Sequence, residues 1–445
     1  MVLRDPISSA SHLLTALWAV SVSAAQVRLE VSLDRPTMLA EKKQAAFVKI
    51  GLTGFKLGGL DKRAPVNVAI VLDKSGSMEG EKIAKAKEAA IAAIGRLGSG
   101  DIVSIVAYDS TVKVIVPATK LNDKEWVIQQ IRSIEAEGST ALFAGVSKGA
   151  EELRKFLDKN RVNRVVLLSD GLANVGPKSP SELGALGASL MKEGISVSTM
   201  GLGLDYNEDL MTKLARNSSG NHVFIEQANN LVRVFNDEFN DVLSVVAQEV
   251  AIDIRVASGV RPVRVLNLDA EINGQQVIVQ MNQLYSEQEK YVMLEVEVPA
   301  TQAGKSREVA EVRVSYANLQ TKTMDRITNA VSANFAESLA EVEAKLNIQV
   351  CAAAVLQIGN NQNKLATALR DQGDIDGARK LLLENGRYLG ENAKKLKDKT
   401  LQTRSADNYD QSKNLDGPAW SRSRKAMREQ QITDDSQQSY GNSKP

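Results

Sequence analysis

The sequence predicts an α/β fold: a doubly wound, mostly parallel sheet inserted in a β-sandwich-like module, followed by an α-helical hairpin and a disordered tail. Three observations predict it. Apolar residues alternate with polar ones before residue 59 and again from 248 to 322, the period of strands with one buried face. Between them, nearly continuous apolar runs alternate with stretches of helical spacing, the pattern of a parallel sheet covered on both faces. From residue 323 to 399 the spacing is helical.

Within residues 26–59, Val27, Leu29, Val31 and Leu33 form one strand, and Ala46, Val48, Ile50 and Leu52 a second. The run Val66-Asn67-Val68-Ala69-Ile70-Val71-Leu72 opens the α/β unit, residues 60–247, as a strand buried on both faces. Helices and strands then alternate to a last helix near Leu231–Val246. In residues 248–322, Asn273-Gly274 separates two extended runs as a two-residue hairpin turn. The two N-terminal strands share this character and are expected to join it. Residues 323–399 read as a helical hairpin, although Ala368-Leu369…Gly373-Asp374…Ala378 has the look of half a tetratricopeptide unit, too little for an array. Residues 400–445, rich in Ser, Gln, Asn and mixed charge, read as a disordered tail.

The 445 residues carry 43% hydrophobic and 24% charged residues, ordinary for a globular protein, and a formal net charge of +1. No global field favours nucleic acid, and an aromatic content of 4% disfavours base-stacking platforms. Cys351 is the single cysteine, so no internal disulfide staples the fold. Residues 1–25 read as a signal peptide: Arg4, then an apolar stretch from Leu13, then small residues ending at Ala24-Ala25. The expected location is periplasmic or extracellular, with membrane contact only if that segment is uncleaved.

Ligands on an open parallel sheet bind outside the carboxyl ends of the strands. Three polar clusters fall there: DKSGSM at 73–78, GSTALF at 138–143, and SDG at 169–171. Alone, Asp-x-Ser-x-Ser is as readily a set of turn formers and helix caps. With Thr140 and Asp170, the five residues Asp73, Ser75, Ser77, Thr140 and Asp170 resemble the metal-ion-dependent adhesion site of von Willebrand factor type A domains. The resemblance covers about residues 60–247 and extends through NVAIVLDKSGSM, VVLLSDGLANVG and GLGLDYNEDLM. The chain looks like exported bacterial proteins of that superfamily and is similar to the inter-alpha-trypsin inhibitor heavy chains.

The resemblance implies a divalent ion, Mg²⁺ with Mn²⁺ or Ca²⁺ as alternatives. Ser75, Ser77 and Thr140 would bind it directly, and Asp73 and Asp170 mostly through water or hydrogen bonds. Mg²⁺ wants six hard oxygens and keeps waters. Neutral hydroxyls leave it electrophilic, with a position open for a partner's Asp or Glu. Lys74 is the odd neighbour and is expected to point away from the site. The last helix is the expected lever of any affinity change. The expected function is therefore metal-dependent capture of a protein ligand presenting a carboxylate. The alternative is an envelope scaffold in which the metal only stabilises the fold.

Enzymatic readings find little support. Gly145-Val146-Ser147-Lys148-Gly149 fits G-x-S-x-G but lies inside a helical run rather than a strand–turn–helix elbow. His222 reads as a strand-edge residue, and two histidines in all leave little room for zinc chemistry. Glu79, Glu81 and Asn207-Glu208-Asp209 read as helix starts, and Arg422, Arg424, Lys425 and Arg428 as a solvated basic cluster in the tail.

Overall fold

A computed structural model describes residues 26–59 and 62–438; the signal-peptide reading of residues 1–25 lies outside them. The α/β unit is built on a six-stranded sheet of order β6-β5-β4-β7-β8-β9. Its strands are β4 (Val66–Asp73), β5 (Ile102–Tyr108), β6 (Val112–Lys120), β7 (Val162–Ser169), β8 (Ile195–Leu202) and β9 (His222–Ile225). All pairings are parallel except β5 with β6. Every residue of β4, β5, β7 and β8 is buried, which is why these strands read as continuous apolar runs.

Helices α1 (Glu81–Arg96), α2 (Lys124–Arg132) and α6 (Leu231–Leu243) cover one face of this sheet. On the other face lie α3 (Leu142–Arg154), α4 (Pro180–Lys192) and α5 (Glu208–Asn217). The G-x-S-x-G run falls inside α3. Its two glycines are packing residues: a Cβ on Gly145 would meet the Tyr108 ring at 2.7 Å, and one on Gly149 would meet Val71 at 2.7 Å.

The α/β unit interrupts a β-sandwich. Before it, β1 (Arg28–Leu33), β2 (Thr37–Leu39) and β3 (Gln44–Thr53) are three strands where the alternation suggested two. After it come β10 (Val245–Val256), β11 (Arg261–Val265), β12 (Ala270–Asn273), β13 (Gln276–Tyr285), β14 (Glu289–Val298), β15 (Ser306–Asn318) and β16 (Thr323–Ala336). One sheet has the order β1-β3-β14-β11 and the other β12-β13-β10-β15-β16-β2. Strand β3 pairs with β14 along its whole length, Gln44 opposite Val298 and Thr53 opposite Glu289. Chain on both sides of the insertion thus shares one core, with Val48, Ile50, Ile252, Val292, Leu294 and Val312 inside it.

The C-terminal region differs from the sequence expectation, first in that residues 323–336, expected to be helical, form strand β16 and extend the β-module beyond 322, because Ile327, Val331, Ala333 and Phe335 share one face and pack on the sandwich core. After a short α7 (Leu339–Ala344), the hairpin of α8 (Ile348–Asp371) and α9 (Ile375–Leu396) is extended by α10 (Lys399–Lys413) and α11 (Gly417–Ser436). The expected disordered tail from residue 400 is therefore corrected as far as residue 438. Low hydrophobicity misled because these helices bury polar side chains. Asn363 donates to Asn408 and Gln411 at 3.1 and 2.7 Å, Asn385 donates to Asn408 at 2.9 Å, and Gln431 donates to Asn363 and Thr367 at 2.8 and 2.9 Å. Buried polar groups cross-linked in this way stabilise a single packing without apolar bulk. Among the described residues, no helix is long and apolar enough to cross a membrane.

The basic cluster at 422–428 is likewise corrected from a solvated tail to a clamp. Lys425 is buried; its ammonium donates to Tyr206 O at 2.7 Å and Glu208 Oε2 at 2.6 Å and lies over the Tyr206 ring. Arg424 pairs with Glu208, Asp209 and Asp371, and Arg428 with Asp209. Helix α11 thus straps the helical region to the start of α5.

Candidate metal centre

The five residues singled out in the sequence come together at the carboxyl ends of β4 and β7. Asp73 ends β4, fully buried; its Oδ1 accepts the Ser75 amide at 2.8 Å, and its Oδ2 accepts the Ser169 hydroxyl at 2.7 Å and the Tyr108 hydroxyl at 3.3 Å. Burial pushes this carboxyl above its usual range despite those bonds. A cation close by reverses that tendency. The chain turns sharply after Asp73, setting the Ser75 and Ser77 Oγ atoms 3.1 Å apart. Ser77 donates to Asp170 Oδ1 at 2.6 Å.

Thr140 arrives from the loop before α3. Its amide donates to Asn174 Oδ1 at 2.8 Å, and its carbonyl accepts the Asn174 and Val175 amides at 3.1 and 3.3 Å. The loops after β4 and before α3 are joined by the Gly76 amide donating to Gly138 O at 3.0 Å. Gly171 lies against the hydroxyls: a Cβ there would stand 3.3 Å from Thr140 Oγ1 and 3.4 Å from Ser77 Oγ. One small volume is therefore bordered by hydroxyls, backed by two fully buried carboxylates, and kept clear by a glycine. That donor set fits a hard divalent cation of the Mg²⁺ class. Ser75, Ser77 and Thr140 would hold the ion, and Asp73 and Asp170 would orient the hydroxyls and balance charge. Among the described residues, no cluster of three His, Cys, Asp or Glu offers an alternative metal site.

Lys74 points away from the centre. Its ammonium pairs with Asp109 and with Glu137, the latter at 2.8 Å, ties that hold the neighbouring loops together. Glu79 and Glu81 are exposed, Glu81 in the first turn of α1. The sequence reading missed Lys82, whose Nζ lies 2.5 Å from Asp170 Oδ2. Both oxygens of Asp170 are thereby engaged by the chain itself. A signal was available: a lysine in the first turn of a helix opposes the helix dipole and needs an acid to hold it. Ser169 was noted only as part of its cluster, and Tyr108 and Asn174 were missed, since serine, tyrosine and asparagine near strand ends are commonplace.

His222 begins edge strand β9, buried, with Nδ1 2.8 Å from Thr199 Oγ1. Burial, with Lys425 adding to it, holds the imidazole down at about 3, from an ordinary 6.5. Between those values the unfolded chain binds a proton that the folded chain does not, so this group destabilises the fold as pH falls through that window. His222→Asn removes the effect. From pH 6.5 to 5, wild type should lose about 1.6 kcal/mol more than the variant, the slope approaching about 1.4 kcal/mol per unit once the unfolded imidazole is fully protonated. Urea unfolding of both proteins at the two pH values measures the difference; equal losses would rule out a neutral buried imidazole.

A doubly wound sheet with a hydroxyl-and-carboxylate cluster at its strand ends, set in a β-sandwich, defines an α/β domain with a candidate cation site. Residues 67–238 match the family model of the von Willebrand factor type A domain, and that domain is present in this chain. An uncharacterized protein of Synechocystis sp., sll0103, is 24% identical over 333 residues, spanning 72% of this chain and 78% of its own length. The inter-alpha-trypsin inhibitor heavy chain H3 of Pongo abelii is 28% identical over 165 residues, 35% of this chain and 19% of that protein, a distant similarity. Among solved structures, a von Willebrand factor type A protein from Catenulispora acidiphila superposes with a TM-score of 0.70 at 16% identity, covering 93% of this chain and 97% of that one. The ArnB paralog VWA2 from Sulfolobus acidocaldarius gives 0.62 at 17% identity, over 93% and 99%. At such identities the likeness is one of fold, and it runs through the β-sandwich and helices as well as the α/β unit.

Proposed function

We propose that this is an exported, non-enzymatic binding protein that holds Mg²⁺ through Ser75, Ser77 and Thr140, supported by Asp73 and Asp170, and grips a carboxylate of a protein partner. Von Willebrand factor type A domains mediate protein–protein interaction. The observation that carries the finer reading is the commitment of Asp170. With one oxygen on Ser77 and the other on Lys82, it serves as an outer carboxylate and leaves the cation's charge available to a ligand. The non-enzymatic reading rests on the burial of the hydroxyl–imidazole pair that Thr199 and His222 make. His222 is buried against Thr199, and Ser147 lies within helix α3.

Affinity capture from an envelope extract, in Mg²⁺ and in chelator, tests the proposal. Partners retained only in Mg²⁺, and lost with Ser77→Ala, are expected. Identical partners in all three samples would overturn it. The scaffold reading draws support from the α11 clamp, which joins the modules without any metal. On that reading chelation lowers the melting temperature and leaves the captured partners unchanged.

A further inference from the structure

Three large apolar side chains stand in solvent beside the candidate metal centre: Leu172 at 59% exposure, Val175 at 36% and Leu204 at 38%. A single exposed leucine needs no explanation. These three come from the two loops that border one polar pocket, and each is tied to it through an adjacent atom. Leu172 follows Gly171, whose missing Cβ leaves room for the Thr140 and Ser77 hydroxyls. Val175 donates its amide to Thr140 O at 3.3 Å. Leu204 follows Gly203, where a Cβ would stand 3.9 Å from Lys82 Nζ, the ammonium on Asp170.

The loops are held rather than loose. Asn174 clamps one through its paired bonds to Thr140, and Ala173 is buried beneath it. In the other, Tyr206 packs directly over Gly201, where any Cβ would collide with the ring at 2.1 Å, and Lys425 caps Tyr206 from the strap. The loops are therefore unable to turn these apolar side chains inward without breaking the bonds that shape the pocket. Their exposure is built in.

We infer that Leu172, Val175 and Leu204 form an apolar collar around the cation, and that the partner is a protein segment whose Asp or Glu is flanked by apolar side chains. The inference rests on the carboxylate-grip reading and specifies its ligand. The charge of the rim favours this occupant over a plain acidic run: Lys82 is already engaged by Asp170, and the exposed Asp205 beside Leu204 would repel further carboxylates. Apolar flanks covering the rim would also exclude water and strengthen the ion–carboxylate attraction in a lower local dielectric.

The test uses the full chain and two peptide probes of equal length and charge, one with a single Asp between leucines and one with it between serines. Binding is followed by fluorescence anisotropy in Mg²⁺ and in EDTA. The leucine-flanked peptide should bind about tenfold more tightly, a difference of about 1.4 kcal/mol. Both signals should vanish in EDTA. Leu172→Ser combined with Leu204→Ser should erase the preference while the protein's melting temperature still rises with Mg²⁺. Equal, Mg²⁺-dependent binding of the two peptides would overturn the collar and leave the carboxylate grip standing. A preference that survives in the double variant would overturn the assignment to these residues. Binding indifferent to EDTA, or no binding of either peptide, would overturn the grip and the collar together.

Discussion

Glu238→Ala should lower the unfolding free energy by about 3–5 kcal/mol, among the largest single-site losses this fold can show. Glu238 of α6 and Arg164 of β7 are both fully buried, 2.8 Å apart. Arg164 also donates to Ser198 Oγ at 2.6 Å, to Tyr285 OH at 3.0 Å, and to Gln283. Ser198 and Asn221 donate to Glu238 at 2.5 and 3.2 Å. Removing the carboxylate takes from a buried guanidinium the ion pair it makes at 2.8 Å, which costs far more than the pair contributes when intact. The double variant Arg164→Met with Glu238→Leu should recover most of the loss, because it removes the charge as well as its partner. Urea denaturation of the three variants gives the values. A loss below about 1 kcal/mol for Glu238→Ala would show that water reaches this network.

The same network bears on the motion that the family resemblance implies. Gln283 and Tyr285 belong to β13 of the sandwich, so the pair joins the α/β unit to the module around it. Helix α6 runs directly into β10, with only Ser244 between them. An axial shift of α6 would draw Glu238 off Arg164, both of them fully buried. This is a strong restraint on any lever of that kind.

On the proposed Mg²⁺ reading, Asp170→Ala should weaken binding of the ion by about 100-fold, at the upper end of what losing a supporting carboxylate costs a metal site. The side chain is fully buried and accepts Ser77 Oγ on one oxygen and Lys82 Nζ on the other. Without it Ser77 loses its orienting partner, and the Lys82 ammonium stays beside the place where a second cation must bind. The consequence reaches stability by mass action: Mg²⁺ at 100 times the wild-type Kd stabilises the fold by about 2.7 kcal/mol, and most of that disappears in the variant. Calorimetric titration gives the affinity, and the melting temperature with and without Mg²⁺ gives the stability. A variant that keeps the wild-type Mg²⁺ response would place the ion elsewhere.

By itself the sequence determined the order of strand-rich and helix-rich stretches up to residue 322 and picked out five residues that the fold brings together. Periodicity reports how many faces of a strand are buried, and that distinguishes the fully covered β4 and β7 from the half-covered strands of the sandwich. The centre was legible for a similar reason. Asp73, Ser75, Ser77 and Asp170 follow directly on strands that the pattern already located, and the end of a parallel strand is where such a sheet binds. Only the tertiary structure decided what depends on partners distant in sequence. Lys82 on Asp170, Arg164 on Glu238, and the α11 strap on Glu208 and Asp209 are pairings of charged residues, and charge carries no periodic signature of its partner. The residues after 400 were misread on that account: their composition looks unable to fold, yet their polar side chains find buried partners that exist only once the rest of the chain has folded.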